Sequence, residues 1–177
     1  MGLIDVTIPV LQRGIHYLTS PYGMRRLNGV TKMHNGVDLV SYYNGSTTID
    51  YVVAYADGTV TYNGFDGERG YYVIINHGSF ETIYQHLRYS SILQVGMTVK
   101  AGYVVGLMGA TGNATGAHLH FGVRVDGKWV DPMPYLVKEP TNDSWKWAVE
   151  NGIVSEDTDP IANPTNEEVV SMLYKLP

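Results

Sequence analysis

The chain has 177 residues, enough for one domain of ordinary size, or one with a small appendage, that buries roughly 70 % of its unfolded surface without a disulfide or metal. Its 16 % charged and 44 % hydrophobic residues, with 20 Gly and 14 Tyr, describe a turn-rich globular protein rather than a disordered one. A net charge of −5 with no basic cluster argues against nucleic acid as a partner, and the absence of Cys removes disulfide frameworks, thiolate metal clusters and cysteine nucleophiles.

The N-terminal stretch lacks the basic start and apolar run of a secretory signal, and no segment of about 18 apolar residues occurs, so neither an export signal nor membrane insertion is expected. From about residue 52 to 130 the chain reads as short strands between glycine turns: YVVAY (51–55), GTVTY (58–62), YYVIINH (71–77), FETIYQHL (80–87), YVVGLMG (103–109), HLHFGVRV (118–125) and KWVD (128–131). These β-branched and aromatic runs predict a mainly antiparallel sheet. After Asp131 come Pro132, Pro134 and Pro140, a linker, and then two predicted helices. The first carries Trp145, Ala148 and Val149 on one face and stops at Asn151-Gly152. The second opens on a capping box of Thr165 and Glu168 and places Val169, Met172, Leu173 and Leu176 on one stripe. Charge changes at the same place: residues 1–138 hold 10 basic and 9 acidic side chains, residues 139–177 hold 2 and 8. A boundary is therefore expected at 138–141, between a first domain over 1–138 and a small helical accessory segment over 139–177.

Six histidines occur, at 16, 34, 77, 86, 118 and 120. In HLHFGVRV, Leu119, Phe121, Val123 and Val125 share one parity, so His118 and His120 project together from the opposite face. In HNGVD, Asp38 stands among Val37, Leu39 and Val40, where a carboxylate is costly to bury unless it is paired or bound to a cation. The same segment also reads as an Asn35-Gly36 turn with Asp38 bonding its own backbone. His86 ends FETIYQHL, where Thr82, Tyr84 and His86 share a parity with Phe80, so alternation does not say which way His86 faces. His77, in an Asn-His-Gly-Ser turn, and His16 read as structural or exposed. Catalytic zinc takes three N or O ligands and leaves a fourth position open, and a Cys-free chain with these residues can supply that set. No HExxH occurs, so a different general base is needed, and a further histidine in the same groove could serve. Because ligation and base function both need neutral imidazole, activity is expected to fall as pH drops through about 6.

At these residues the sequence resembles the M23 family of zinc metallopeptidases, the lysostaphin-like peptidoglycan endopeptidases. The resemblance runs from about residue 20 to 136 through SPYGMR, HNGVD, VVAYADGTV, YQHL, VGMTVKAGYVVGLMGATGNATGAHLHFGV and DPMPYL. It implies an antiparallel β-sheet groove, one zinc ion held by His34, Asp38 and His120, and a catalytic pair of His86 and His118. It further implies hydrolysis of stem or cross-bridge peptides of bacterial peptidoglycan, with wall lysis. Arg25 follows the Gly-aromatic turn at the family's arginine position, and Arg25 or Asn28 is the candidate for touching substrate. A catalytically silent, wall-binding or amidase-activating module is the other reading of the same resemblance. All five site positions are filled, where silent relatives usually lose ligands.

Residues 143–176 are similar to the helical part of an S-layer homology unit, although Thr165-Asn166-Glu167-Glu168 stands where that unit carries Thr-Arg-Ala-Glu. A hairpin that docks or dimerises the chain is the competing expectation, so monomer and dimer both stay open. A lytic domain with no export signal looks like a bacteriophage endolysin, made in the host cytoplasm and acting on the wall after release; a bacterial autolysin or a phage tail fragment is the other expectation.

Overall fold

The computed structural model describes residues 10–11, 15–27, 29–43 and 46–136. The predicted C-terminal helices, the boundary at 138–141 and Asn28 lie outside the described residues. Five strands precede the first one expected from sequence: β1 (Ile15–Ser20), β2 (Gly23–Leu27), β3 (Val30–His34), β4 (Val37–Tyr43) and β5 (Ser46–Thr48). Then follow β6 (Tyr51–Val53), β7 (Gly58–Asp66), β8 (Gly70–Asn76), β9 (Glu81–Leu87), β10 (Thr98–Val99), β11 (Val104–Leu107), β12 (Leu119–Val125) and β13 (Lys128–Val130). A single short helix, α1 (Met133–Leu136), closes the described chain, with the Asp131 carboxylate accepting the Met133 N–H at 2.9 Å as its cap. No helix among the described residues is long and apolar enough to cross a membrane.

The main sheet runs β1-β4-β12-β9-β8-β7-β10, with β5 added beside β4 and β13 beside β12, and every pairing is antiparallel. Two small pairs complete the fold, β6 with β11 and the hairpin β2-β3. The mainly antiparallel β architecture expected from the sequence is what the described residues adopt. β4, β12, β9 and β8 occupy the middle of the sheet and carry its apolar side chains. Leu119, Phe121 and Val123 of β12 lie on one face with Val37 and Leu39 of β4, Val73 and Ile75 of β8 and Tyr84 of β9, all fully buried. Burial of each such side chain contributes about 1.5–3 kcal/mol. A smaller cluster of Tyr72, Ile74 and Ile83, with Trp129 against it, covers the other face further along. β9 is therefore buried on both sides, which is why its sequence shows no clean alternation.

The β2-β3 hairpin went unanticipated for the opposite reason. Its strands GMRRL and VTKMH are mostly solvated, with Met24 and Val30 about two-thirds exposed. A strand pair without a buried face leaves no apolar period to read.

The glycine-rich segment before β12 is shaped by close backbone packing. Gly112 and Gly70 both have positive φ, 73° and 65°. A Cβ on Gly112 would collide with the Gly70 backbone nitrogen, and one on Gly70 with Thr111. The β7-β8 turn and this loop consequently lie backbone to backbone, and they form one wall beside the histidines.

Candidate active site

Register brings the first two candidate ligands together. β4 and β12 pair so that Asp38 stands directly opposite His120, flanked by the pairs Leu39 with Leu119 and Val37 with Phe121. The flanking residues point into the core, so alternation turns Asp38 and His120 out to the same side. His34 ends β3, and Asn35-Gly36 swings the chain back into β4 to bring His34 onto Asp38.

Gly36 occupies the space at that return. A Cβ there would lie 2.5 Å from His120 Nε2 and 2.5 Å from the Phe121 carbonyl oxygen. One of those neighbours is backbone and cannot yield cheaply. Gly36→Ala is expected to cost about 1–3 kcal/mol in denaturant unfolding and to displace the His120 ring, weakening zinc retention in a competition titration. Unchanged stability and zinc affinity would refute this account of the turn.

The three side chains are buried, and their donor atoms form a nearly equilateral triangle. His34 Nε2 lies 3.1 Å from Asp38 Oδ1 and 3.0 Å from His120 Nδ1, and His120 Nδ1 lies 3.0 Å from Asp38 Oδ1. The His34 Nδ1–H donates to the Pro21 carbonyl at 2.7 Å, which leaves a lone pair on Nε2 directed at the triangle. Three converging lone pairs repel unless something positive sits between them. Ligands about 2.0–2.1 Å from tetrahedral zinc stand about 3.3–3.4 Å apart, so this donor set fits zinc after shifts of about 0.3 Å. Burial alone would raise the Asp38 carboxyl; the His120 and His34 imidazoles overcome it and hold the group far below the usual carboxylate range. Burial also lowers His120, which favours the neutral form a ligand requires.

Arg25 reaches the carboxylate from behind. Its Nη1 donates to Asp38 Oδ2 at 2.9 Å and to Ser20 Oγ at 2.6 Å. It thereby takes the oxygen that the triangle leaves unused and fixes the carboxylate plane. The resemblance offered Arg25 as a candidate substrate contact; the structure gives it this second partner while its side chain still borders the groove. The register of Gly23 with His34 in the β2-β3 hairpin carries it there.

His86 reaches the groove by a backbone irregularity. By parity it belongs with Thr82 and Tyr84, which point inward, but its φ is +62° and β9 bulges against β8 between Tyr84 and Leu87. A non-glycine residue held there costs of order 1–3 kcal/mol, met here by hydrogen bonds on both sides of the residue. The His86 backbone N–H donates to the Arg69 carbonyl at 2.9 Å, and its Nδ1–H donates to the Thr111 carbonyl at 2.8 Å. Nε2 is thus left bare and faces the site. The expectation that Thr82, Tyr84 and His86 share a face fails at this bulge.

His118 is oriented in the same way. Its Nδ1–H donates to the Gly116 carbonyl at 2.8 Å, and its Nε2 stands 3.7 Å from Asp38 Oδ1, outside the triangle of close contacts. The His86 and His118 rings are 4.7 Å apart between centroids. Burial pushes His86 down to about 4, so this imidazole stays neutral and basic at pH 5–8. For this residue the acid limb belongs near its own lowered value rather than at the 6 expected from an ordinary imidazole. His16 and His77 lie elsewhere, as expected: His16 Nε2–H donates to the buried Asp50 carboxylate at 3.1 Å, and His77 Nδ1–H to the Asp57 carbonyl at 2.8 Å. The orienting carbonyls of Pro21, Thr111 and Gly116 leave no mark in a side-chain pattern and were not foreseen.

The family model of peptidase family M23 matches residues 32–132, a stretch that holds His34, Asp38, His86, His118 and His120. The chain belongs to peptidase family M23. Among M23 relatives, the DD-carboxypeptidase/endopeptidase Mpg of Neisseria meningitidis is 34 % identical over 126 residues, which are 70 % of this chain and 28 % of that protein. The chain thus spans less than a third of this relative's length. The M23-type fold recurs in a zinc-containing peptidase from Vibrio cholerae, with TM-score 0.59 and 31 % identity over 74 % of this chain and 40 % of that one. Lysostaphin from Staphylococcus simulans matches with TM-score 0.57 and 30 % identity, covering 67 % of this chain and 48 % of its own.

Proposed function

We propose that this chain is a zinc-dependent endopeptidase that cuts peptide bonds in the stem or cross-bridge peptides of bacterial peptidoglycan and so lyses the wall. The observation that carries the reading is the buried donor triangle with two histidines beside it, each keeping Nε2 bare by giving Nδ1–H to a backbone carbonyl. The names of relatives support the substrate class: two from Vibrio cholerae, 34 % and 35 % identical to this chain, are called peptidoglycan DD-endopeptidases.

One zinc ion, held by His34, Asp38 and His120, would supply Lewis acidity, lowering the pKa of water toward neutrality and polarising the scissile carbonyl. The residues do the rest. Arg25 keeps the Asp38 carboxylate aimed. His86 and His118 accept the proton of the attacking water at Nε2 and return it to the departing amine. Their Nδ1–H bonds hold the tautomer, so each ring presents an acceptor rather than a donor at the start of the cycle.

Digestion of muropeptides of defined cross-link, with mass analysis of the fragments, tests the reading. Internal cuts that stop on chelation and resume with zinc are expected; loss of a terminal alanine alone would make the chain a carboxypeptidase. No cleavage by zinc-loaded protein would leave a silent member of the family. Chelation itself should leave the fold intact, because the apolar core stands apart from the metal ligands. Far-ultraviolet circular dichroism is expected to stay native while hydrolysis is lost, and a collapse of the spectrum would overturn this.

A further inference from the structure

The cavity on one side of the donor triangle, about 230 Å³, carries three cations and one carboxylate in its walls: Arg25, Lys32, Arg69 and Glu68. Each cation has a carboxylate partner: Arg25 pairs with Asp38, Lys32 with Glu68 and Arg69 with Asp66. Two of the cations are engaged through a terminal nitrogen. Arg25 is taken by Asp38 and Ser20, and Lys32 meets Glu68 at 3.0 Å in a well-exposed rim pair.

Arg69 is held but not used up. Its Nε donates to Asp66 Oδ2 at 2.7 Å and its backbone N–H to Asp66 Oδ1 at 2.7 Å, while the guanidinium carbon sits 4.2 Å from the centre of the Tyr72 ring. Its two terminal nitrogens have no hydrogen-bond partner among the described residues. A guanidinium fixed at Nε and against one ring keeps its end-on fork ready for a planar carboxylate, with little rotamer freedom left to lose. Through its carbonyl, which accepts the His86 N–H, Arg69 is also tied to the candidate base.

The opposite side of the triangle is different. There the surface next to Asp38 and His118 is made by Thr19, Ser20, Val40, Thr115 and Ala117, with no cation in its lining. The groove is therefore asymmetric, with three cations along one arm and small side chains beside Asp38 on the other.

We propose that Arg69 is a carboxylate-binding subsite that selects peptides bearing a free carboxylate beside the bond to be cut and so sets the direction in which the peptide lies. The inference rests on the endopeptidase reading above and adds to it a chemical preference. Glu68, next in the chain, forms the rim with Lys32.

Two synthetic cross-linked stem-peptide dimers test this, identical except that the carboxyl group next to the cross-link is free in one and carboxamide in the other. The zinc-loaded 177-residue chain is expected to favour the acid by at least about tenfold in kcat/KM, mostly through KM, as a charged hydrogen-bond pair implies. The ratio should fall toward one in Arg69→Gln, recover in part in Arg69→Lys, and hold or rise in Glu68→Gln. Should Arg69→Gln not fold, Arg69→Lys carries the comparison with an intermediate ratio expected. A wild-type ratio near one, or one that Arg69→Gln and Arg69→Lys leave unchanged, overturns the subsite while sparing the endopeptidase reading. If neither dimer is cut, the endopeptidase reading fails and binding decides the subsite: the acid peptide titrated into wild-type and Arg69→Gln protein must bind the wild type more tightly, and equal binding overturns it.

Discussion

Asp38→Ala is expected to release zinc and to reduce hydrolysis by about 10³-fold or more, because the several kcal/mol of transition-state stabilisation that a Lewis acid supplies leaves with the ion. The effect is large for a geometric reason. Asp38 Oδ1 is a vertex of the donor triangle, 3.1 Å from His34 Nε2 and 3.0 Å from His120 Nδ1, so its removal opens two edges at once. It also strands Arg25, whose guanidinium donates to Asp38 Oδ2, and leaves a partly buried cation facing the place where the metal belongs. His34→Ala and His120→Ala should behave alike, although each removes a neutral ligand and frees no opposing charge. Elemental analysis of the purified variants beside wall-peptide hydrolysis checks the expectation. A variant at 34, 38 or 120 that retains stoichiometric zinc with full turnover would dismantle the proposed centre.

His118→Ala is expected to separate the two quantities that move together in the ligand variants. Zinc content should stay at one per chain while kcat falls by about 10²–10⁴-fold, the range for loss of a general acid-base group. The structure gives the basis for this split. His118 Nε2 is 3.7 Å from Asp38 Oδ1, beyond the 3.0–3.1 Å edges of the triangle, and its ring is anchored by Nδ1–H to the Gly116 carbonyl. His86 should show the same split when changed to Asn, a residue that tolerates the left-handed backbone at φ +62°. Loss of zinc on changing His118 would mean that it ligates, and the division between holding the ion and moving the proton would have to be redrawn.

How much of this could be read from residues alone varies by segment. The HLHFGVRV strand was transparent, because a half-buried strand writes its two faces into alternate positions; Leu119, Phe121 and Val123 are fully buried and His120 faces the site. Asp38 was legible as a carboxylate in need of a partner, but its partner was not, since the pairing of β4 with β12 joins residues far apart in the chain. His86 was opaque because a bulge with positive φ reverses the face that parity assigns. The β2-β3 hairpin was missed because it buries no apolar face, and with it went the route by which Arg25 arrives behind Asp38. Arg69 was passed over because a charged residue in a turn looks the same whether it is solvated or pinned against an aromatic ring.

The pairing of Asp38 with His120 has a consequence for how the protein matures. His34 and Asp38 leave the ribosome almost together, whereas His120 follows 82 residues after Asp38. A nascent chain shorter than that offers two donors and only weak hold on a metal. Tight capture of the proposed zinc would thus wait for the last central strand to slot between its neighbours, and metallation would be a late event, reporting that the sheet has closed.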